Sequence, residues 1–293
     1  MKVTNRLGLP QPIVEVLSRD NYSKGDADFS VTELIDSPRQ KALTNRHRDE
    51  ITVDCIDLIY QFDGKAVHSI LEGAEVSPDV GIIEERLSVE VGLYTVSGAI
   101  DYYDVKRGVI QDYKRVSTWE VVMGIKEERY RQLNLYAHLA RANGWVVNGL
   151  EIVYLFRDWS EARANREPDY PPDRAMRVDI PMWTPEATEQ YLKDRVKAHV
   201  ATRILADDDL PDCTAEEMWL DETVYAVMRN GRKSAVRATN DKGVKFKSRG
   251  EAQRWIQSNA QNDSSLYIEQ RLGEPRRCLK FCNVANFCNQ WGG

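Results

Sequence analysis

Two carboxylates and one lysine fall on what the pattern indicates to be neighbouring strands. Asp101 closes the run Gly98-Ala-Ile-Asp101, and Asp112-Tyr-Lys114 lies on the strand that follows. Side chains of a strand alternate between its two faces, so Asp112 and Lys114 project to one side and a hairpin would bring Asp101 beside them. Convergent carboxylates repel unless a cation lies between them, and Mg²⁺ and Mn²⁺ prefer oxygen ligands. The spacing therefore predicts a divalent-metal site with a lysine next to it.

Such a site suits the hydrolysis of a phosphodiester. The metal would offset charge on the phosphate and lower the pKa of a water, while Lys114 would orient that water or stabilise the transition state. His68 could add a nitrogen ligand, and a mixed ligand set would favour Mn²⁺ over Mg²⁺. A second pair, Asp104-Val-Lys106, lies at an expected turn, where exposed charges are ordinary. Asp112 and Lys114 instead interrupt an apolar strand, where a charged pair costs more.

Hydrophobic periodicity predicts the elements that position these residues. A helix is expected from Ser30 through about Leu43, weakened at Pro38, and a second helix from Asp54 through Ala74. Three antiparallel strands, a long helix and a buried strand are then expected at 87–91, 94–103, 108–114, 127–143 and 149–156. The resulting order is helix, three strands, helix, strand.

The chain divides into four expected segments. An irregular arm at 1–30 precedes an α/β core at 31–206, in which 158–181 is expected to be a loop and 185–206 a helix. A small basic α+β module with its linker is expected at 207–272, and a C-terminal cysteine segment at 273–293. The fold class is therefore α/β, with an appended α+β module.

Composition sets the remaining bounds. The 293 residues are 42% hydrophobic and 29% charged, as in an ordinary globular protein. No run approaches the roughly 18 apolar residues of a membrane span, and no apolar run follows the first residues as in a signal peptide. We therefore expect a cytoplasmic protein without a membrane partner.

Basic residues concentrate in one segment of this acidic chain, whose net charge is −6. Between Arg229 and Arg254 lie nine basic residues, Lys242 among them, against two acidic ones. This asymmetry favours contact with a phosphate backbone, and the alternative is a solvated charged face. The candidates for DNA contact are Arg232, Lys233, Lys245 and Lys247. Aromatic residues among these charges could stack unpaired bases or form a small core: Tyr225, Phe246, Trp255 and Tyr267.

Four motifs in order give the chain a resemblance to the nuclease domain of RecB and its relatives in the PD-(D/E)XK superfamily. They are Gly64-x-x-x-His68-x-x-Leu71-Glu72, Gly98-Ala-Ile-Asp101, Asp112-Tyr-Lys114 and Gln132-x-x-x-Tyr136. The resemblance implies a restriction-endonuclease-like core with a mixed central sheet flanked by helices. It also implies roles for particular residues. The metal ligands would be His68, Asp101, Asp112 and the main-chain carbonyl of Tyr113; Lys114 would be catalytic, and Gln132 and Tyr136 would contact DNA or support the site.

The same resemblance implies a metal-dependent deoxyribonuclease of a prokaryote or phage, residing in the host cytoplasm in the latter case. It would act as an exonuclease on the ends of linear single- or double-stranded DNA, in recombination or repair, with a possible helicase or recombinase partner. The alternative is a catalytically silent DNA-binding or scaffold protein of the same fold. A sequence-specific endonuclease is a third reading, although no helix-turn-helix or zinc-finger spacing is present.

The cysteines suggest a second metal site. The chain has five, and three of them fall in the last sixteen residues as Cys278-x3-Cys282-x5-Cys288. This spacing resembles the iron–sulfur nucleases of the superfamily, including the AddB-type and CRISPR adaptation nucleases, but Ser37 stands where those relatives carry their first cysteine. Cys213 is the candidate replacement. A [4Fe–4S] cluster is expected, structural Zn²⁺ is the alternative, and unligated thiols are the third possibility. The fifth cysteine, at position 55, is expected in the apolar core.

Overall fold

The computed structural model describes residues 1–19, 24–241, 243–260 and 263–292. Two compact units divide the chain, Met1–Pro211 (unit 1) and Asp212–Gly293 (unit 2). The elements of unit 1 are, in chain order, β1 (Lys2–Thr4), α1 (Gln11–Ser18), β2 (Phe29–Ser30), α2 (Val31–Leu34), α3 (Pro38–Arg46), β3 (Thr52–Asp54), α4 (Cys55–Glu72), β4 (Gly81–Val91), β5 (Tyr94–Asp104), β6 (Val109–Val116), α5 (Trp119–Val122), α6 (Glu127–Ala142), β7 (Gly149–Phe156), α7 (Glu161–Ala164), β8 (Ala175–Asp179) and α8 (Pro185–Ala201). Unit 2 contains β9 (Val224–Arg229), α9 (Arg249–Asn259), β10 (Leu266–Arg271) and α10 (Arg276–Lys280).

Unit 1 is built on a six-stranded mixed sheet. The strands follow the order β2, β5, β6, β7, β8, and β4 pairs with β5. β4, β5 and β6 are antiparallel neighbours, while β6 and β7 run parallel, as the intervening crossover through α6 requires. Helices α4, α6 and α8 pack against the sheet. The expected α/β class, with a mixed central sheet flanked by helices, is confirmed.

Capping serines and a proline set the boundaries of helices α2 and α3. Ser30 caps α2 by accepting a hydrogen bond from the Glu33 amide, and the chain leaves the helix before Ser37 caps α3. Pro38 therefore stands at the first position of a new helix, where its missing N–H costs nothing. The single helix expected through Leu43 is in fact two.

Two tight connections fix the register of the three antiparallel strands. Val91 pairs with Tyr94, so a two-residue loop joins β4 to β5, and Gly92 adopts the positive φ of 64° that such loops use. Gly108 closes the next turn with φ of 66°, as expected. The β5–β6 pairing stops at Tyr102 and Gln111. Beyond that pair β6 continues alongside β7 alone.

A close approach between β5 and α6 shapes the core beneath these strands. The Tyr136 ring packs on Gly98, where an added Cβ would lie 2.7 Å from Tyr136 Cε1 and 3.1 Å from Val31 Cγ2. Tyr136 is buried and belongs to the main hydrophobic core. The glycine of the Gly98-Ala-Ile-Asp101 run is thus required by packing.

Three parts of unit 1 differ from expectation. Residues 1–30, expected to be irregular, contain β1, α1 and β2, and β1 pairs in parallel with β3. The expected loop at 158–181 contains α7 and an edge strand, β8. One face of this edge strand is solvated, so its sequence alternates with polar residues and resembles that of a loop. Helix α8 ends at Ala201 rather than near residue 206.

Unit 2 is a small α+β module. β9 and β10 pair antiparallel, and short bridges attach residues 237 and 246 to β9. Helix α9 begins at the Ser248 cap, and Val227, Phe246 and Ala252 form a buried cluster with Trp255 packed against it. Phe246 and Trp255 therefore belong to this small core, whereas Tyr267 is exposed. Across the residues that the structure describes, no helix is both long and apolar enough to traverse a bilayer.

One histidine of unit 1 is held in an apolar site. His199 is 3% exposed, lies edge-on to the Phe29 ring at 6.1 Å, and its Nε2 atom has no hydrogen-bond partner among the residues that the structure describes. Burial, with a smaller effect of the Arg195 charge, lowers the pKa of His199 to about 4. The neutral imidazole is therefore the form compatible with the fold.

We expect this histidine to make stability depend on pH. Its contribution is complete above its unfolded pKa of 6.5 and is lost as the pH falls towards 4, because the unfolded chain takes up the proton first. The loss should approach about 1.4 kcal/mol per pH unit across that window. Urea unfolding in a metal chelator would measure it, with His199→Gln as the non-titrating control. Equal pH dependence in the two proteins would contradict the expectation.

A second prediction concerns Gly98. Gly98→Ala should lower the free energy of unfolding by about 1–3 kcal/mol, because the new methyl group overlaps the Tyr136 ring. The matched control is Gly64→Ala within α4, where an added Cβ meets no atom within 4 Å. That change should raise stability by roughly 0.5–1 kcal/mol. Denaturant unfolding compares the two, and a Gly98→Ala protein as stable as the wild type would refute the packing argument.

Candidate metal site

Three carboxylates lie in one row across β4, β5 and β6. Ile83 pairs with Tyr102 and Glu85 with Ile100, so the residue opposite Asp101 on β4 is Glu84. On the other side the β5–β6 register, continued by one position beyond its last pair, sets Asp112 opposite Asp101. Cross-strand partners project to the same face of a sheet. Asp101 is therefore flanked by a carboxylate on each neighbouring strand.

The ordinary ladder is interrupted on both sides of Asp101. Glu84 has a positive φ of 49°, which is rare for a residue with a side chain and breaks its pairing with β5. On β6, the Tyr113 amide donates to Asp101 Oδ2 at 2.8 Å instead of to a strand partner. At Asp101, carboxylate oxygens thus lie where the backbone pairing of β5 with its neighbouring strands is missing.

His68 reaches this row from the last turns of α4. Its Nδ1 atom lies 3.3 Å from Glu84 Oε1 and 3.8 Å from Asp101 Oδ1. The hydrogen bond to the Glu84 carboxylate raises the pKa of His68, assisted by the charge of Asp101. Ligand atoms of these three residues lie within 4.8 Å of one another, a set able to hold a metal ion.

The charged form of Asp101, the central carboxyl of the row, is disfavoured by its surroundings. Asp101 is 8% exposed, and burial together with the charge of Asp112 raises its pKa to about 7. Lys114 and His68 act in the opposite direction but do not cancel the effect. A divalent cation is the group that would neutralise this excess of negative charge.

Asp112 and Lys114 form the other half of the site. Asp112 is 3% exposed, and neither of its carboxylate oxygens accepts a hydrogen bond from any residue that the structure describes. The Lys114 ammonium lies 2.5 Å from Oδ2. A buried carboxylate oxygen without a donor is costly unless a cation or water satisfies it. The pair therefore presents a carboxylate that accepts no hydrogen bond and an ammonium on the same face of β6.

The expected site residues are thus partly brought together. His68 and Asp101 converge, and Asp112 and Lys114 lie beside Asp101, yet Asp112 belongs to no set of three metal-ligating side chains within the 4.8 Å limit, counting the described residues. The Tyr113 amide faces Asp101 and donates to its carboxylate, while the expected role of the Tyr113 carbonyl as a metal ligand stays a prediction.

Gln132 and Tyr136 lie beneath the site on α6. Both are buried, and Gln132 Nε2 donates to the Tyr136 hydroxyl at 3.0 Å. Their burial favours support of the sheet over contact with a ligand. Glu72, by contrast, is exposed at the end of α4.

Glu84 is the member of the site that the sequence analysis missed. Its position was readable from the two-residue loop at Gly92-Leu93, because that loop length fixes the β4–β5 register and places Glu84 opposite Asp101. The residues around Glu84 are polar, and a glutamate on an edge strand is ordinarily solvated, so the local sequence did not indicate a role in the site.

The basic segment of unit 2 is less unbalanced than its sequence implies. Acidic residues outside the segment form ion pairs with it. Glu222 Oε1 lies 2.9 Å from Lys247 Nζ, and Asp263 Oδ2 lies 2.7 Å from Arg229 Nη2. Arg232, Lys233 and Lys245 remain exposed. Lys242 lies outside the described residues. All four candidate phosphate contacts are thus exposed, and Lys247 also pairs with Glu222.

The four candidate cysteine ligands all lie in unit 2. Gln290 holds the main chain of Cys213 on both sides, accepting from its N–H at 2.8 Å and donating to its carbonyl at 3.0 Å. This contact ties Cys213 to the segment that carries Cys288. Burial, and then neighbouring cysteines, raise the pKa of Cys278 and of Cys282. Cys55 is buried at the start of α4, as expected.

Comparisons with known proteins add little to this description. No protein-family model matches the chain, and no curated protein matches it. Among solved structures, the crystal structure of SSO0001 matches with a TM-score of 0.37 and 16% identity, over 63% of this chain and 81% of that chain. A similarity at this level does not define a shared fold.

Proposed function

We propose that this protein is a metal-dependent deoxyribonuclease of the PD-(D/E)XK type. The observation that carries the proposal is the buried Asp112 carboxylate, beside Asp101 and His68. Neither of its oxygens accepts a hydrogen bond from a residue that the structure describes, and one of them faces the Lys114 ammonium. A structural ion pair would satisfy both oxygens. A carboxylate left open next to an ammonium instead suits a site that accepts a cation and a phosphate.

The donor set fits Mg²⁺ or Mn²⁺. Carboxylate oxygens suit both ions, and the imidazole of His68 tilts the preference towards Mn²⁺. When bound, such a cation would neutralise charge developing on the scissile phosphate and favour ionisation of the attacking water. Asp101 and Asp112 would hold it, with the Tyr113 carbonyl as a further oxygen ligand.

The other side chains would act on the substrate directly. Lys114 projects from the same face as Asp112, so its ammonium can donate to a phosphate oxygen or orient the attacking water. Water attack breaks the P–O bond to the leaving oxygen, which takes up a proton, and no covalent intermediate with the protein is needed. His68, hydrogen-bonded to Glu84, is held towards Asp101.

DNA is the proposed substrate, and linear ends are its proposed point of attack. Arg232, Lys233 and Lys245 of unit 2 would supply affinity for the backbone without reading sequence. Exonuclease action on single- or double-stranded ends, a helicase or recombinase partner, and residence in the cytoplasm of a prokaryote or phage host follow from the resemblance to RecB-like nucleases.

For unit 2 we propose a metal bound by Cys213, Cys278, Cys282 and Cys288. Thiolates are the ligands shared by a [4Fe–4S] cluster and structural Zn²⁺, and the Gln290 contact brings the first of these cysteines to the segment of the others. The cluster is our first choice.

The second candidate function is a catalytically silent DNA-binding or scaffold protein. Its supporting observation is that Asp112 lies outside the set of three ligands formed by His68, Glu84 and Asp101. The exposed basic residues of unit 2 would serve either function. Cleavage separates the two.

The first test measures degradation of end-labelled linear, circular and single-stranded DNA with Mn²⁺ or Mg²⁺. Asp112→Ala and Lys114→Ala should each lower the rate at least about 100-fold, since each removes a group that acts on the transition state. Lys106→Ala, at the β5–β6 turn, is the matched control and should retain the wild-type rate. Intact circular DNA beside degraded linear DNA would indicate an exonuclease. Wild-type protein that binds DNA but cuts none of these substrates would exclude the nuclease and favour the scaffold.

A second test identifies the cysteine-bound metal. Anaerobically purified protein should contain about four iron atoms per chain, as one cysteine-ligated [4Fe–4S] cluster requires. Cys282→Ser should remove the iron and destabilise unit 2, whereas Cys55→Ser should leave the iron content unchanged. One zinc per chain without iron would support the alternative, and a metal-free protein with four reactive thiols would exclude both.

A further inference from the structure

A pocket of unit 2 lies between helix α9 and a turn that precedes this helix in the chain. The turn is closed by the Gly243 amide, which donates to the Asn240 carbonyl, and by the Val244 amide, which donates to Asn240 Oδ1 at 3.0 Å. The pocket has a volume of about 230 Å³. Its α9 wall consists of residues spaced three and four positions apart, which share one helix face: Glu251, Arg254, Trp255, Ser258 and Asn259.

One wall of the pocket is aromatic. Phe246 is buried, and Trp255 packs against the same small core but is only half-buried, so part of its indole faces the pocket. A cavity of about 150 Å³ holds one benzene molecule, so this pocket has room for a flat molecule of one or two rings. A base inside a duplex exposes only its edges, and its faces are out of reach of an indole. Size and aromatic surface together favour an unpaired base.

Charged groups border this aromatic surface. The Arg254 guanidinium is exposed and, within the described part of the chain, forms neither an ion pair nor a hydrogen bond. Two carboxylates line the pocket with it. Glu251 Oε2 accepts from the Lys247 amide at 2.8 Å, and Asp241 Oδ1 lies 3.4 Å from Arg237 Nη2. A guanidinium donates two parallel hydrogen bonds and a carboxylate accepts two, so the pocket offers paired donors and paired acceptors.

Guanine is the base that matches both kinds of group. Its O6 and N7 atoms accept the two hydrogen bonds of a guanidinium, which is the commonest specific contact between proteins and DNA bases. Its N1–H and its N2 amino group are adjacent donors, and they suit a carboxylate. Adenine and cytosine each present one donor group, the exocyclic amine, and thymine presents one N–H between two carbonyls.

We propose that this pocket binds an unpaired guanine base of single-stranded DNA. The base lies against Trp255, its O6 and N7 atoms face Arg254, and its N1–H and N2 amino group face the carboxylates of Glu251 and Asp241. The exposed lysines and arginines of unit 2 hold the backbone without reading sequence, whereas the pocket adds a preference for one base.

This inference rests on the proposed function for DNA as the ligand. Binding of a base requires neither cleavage nor the metal site of unit 1, so binding measured in a metal chelator tests the pocket alone. A protein that prefers guanine strands and degrades no DNA would refute the nuclease and leave the pocket intact. A protein that degrades DNA and binds all bases equally would do the reverse.

Fluorescence anisotropy of short end-labelled single strands, with the full chain in EDTA, tests the proposal. A strand of thymines with one central guanine should bind at least about fivefold more tightly than strands with adenine, cytosine or thymine at that position. Pairing the guanine strand with its complement should remove the advantage. Equal affinity for the four strands, or a preference for another base, overturns the proposal. So does free dGMP that binds more tightly than the guanine strand, because the pocket would then belong to a nucleotide.

A charge-matched pair of variants separates base recognition from attraction to the backbone. Arg254→Gln should lower the affinity for the guanine strand at least about fivefold and abolish the preference over thymine. Arg249→Gln is the control, because Arg249 is an exposed arginine of the same helix that does not line the pocket. It should weaken both strands by the same factor. Identical behaviour of the two variants would overturn the role of Arg254 and the proposal with it.

A variant of Trp255 tests the aromatic wall. Trp255→Leu keeps an apolar side chain against the small core but removes the ring, so it should bind the guanine strand at least about fivefold more weakly. Thermal unfolding followed by circular dichroism shows whether the variant is folded. If it is folded and keeps the wild-type affinity, no base stacks on Trp255 and the proposal fails. If it is unfolded, the Arg254→Gln comparison decides.

Discussion

The repulsion among buried carboxylates is the interaction on which the rest of the site depends. Strand register places Asp101 between Glu84 on β4 and Asp112 on β6; Asp101 and Asp112 are buried, and Glu84 is half-buried. Burial makes each charge more expensive and each neutralising partner more valuable. His68, Lys114 and the Tyr113 amide each lower the pKa of Asp101, but burial and the charge of Asp112 outweigh them and keep this pKa raised.

Packing beneath the sheet maintains this geometry. Tyr136 lies on Gly98, three residues before Asp101, and Gln132 donates to the Tyr136 hydroxyl. Gly98 thus allows α6 to pack closely against β5, and this contact fixes the position of the strand relative to the helix. Residues that touch no ligand therefore determine where the Asp101 carboxylate stands, which is the usual role of a supporting layer around a reactive centre.

Local signals made much of unit 1 predictable. Ser30, Asp54 and Gly108 gave helix starts and a turn through capping and positive φ, both of which depend on a few neighbouring residues. Glu84 and β8 escaped because their meaning depends on partners distant in the chain. A polar residue on a strand edge has the same local signature whether it faces solvent or a metal. The charge balance of the basic segment likewise depends on residues outside it, because Glu222 pairs with Lys247 and Asp263 pairs with Arg229.

The contact between Gln290 and Cys213 has a consequence for the architecture of unit 2. It joins the first residues of the unit to its last, and the bridge between Leu220 and Pro275 does so again. A module whose first and last segments lie together can be inserted into a loop of another protein at a single position. Units of this kind can be exchanged between proteins as insertions into surface loops, because the host's own termini and core need not move.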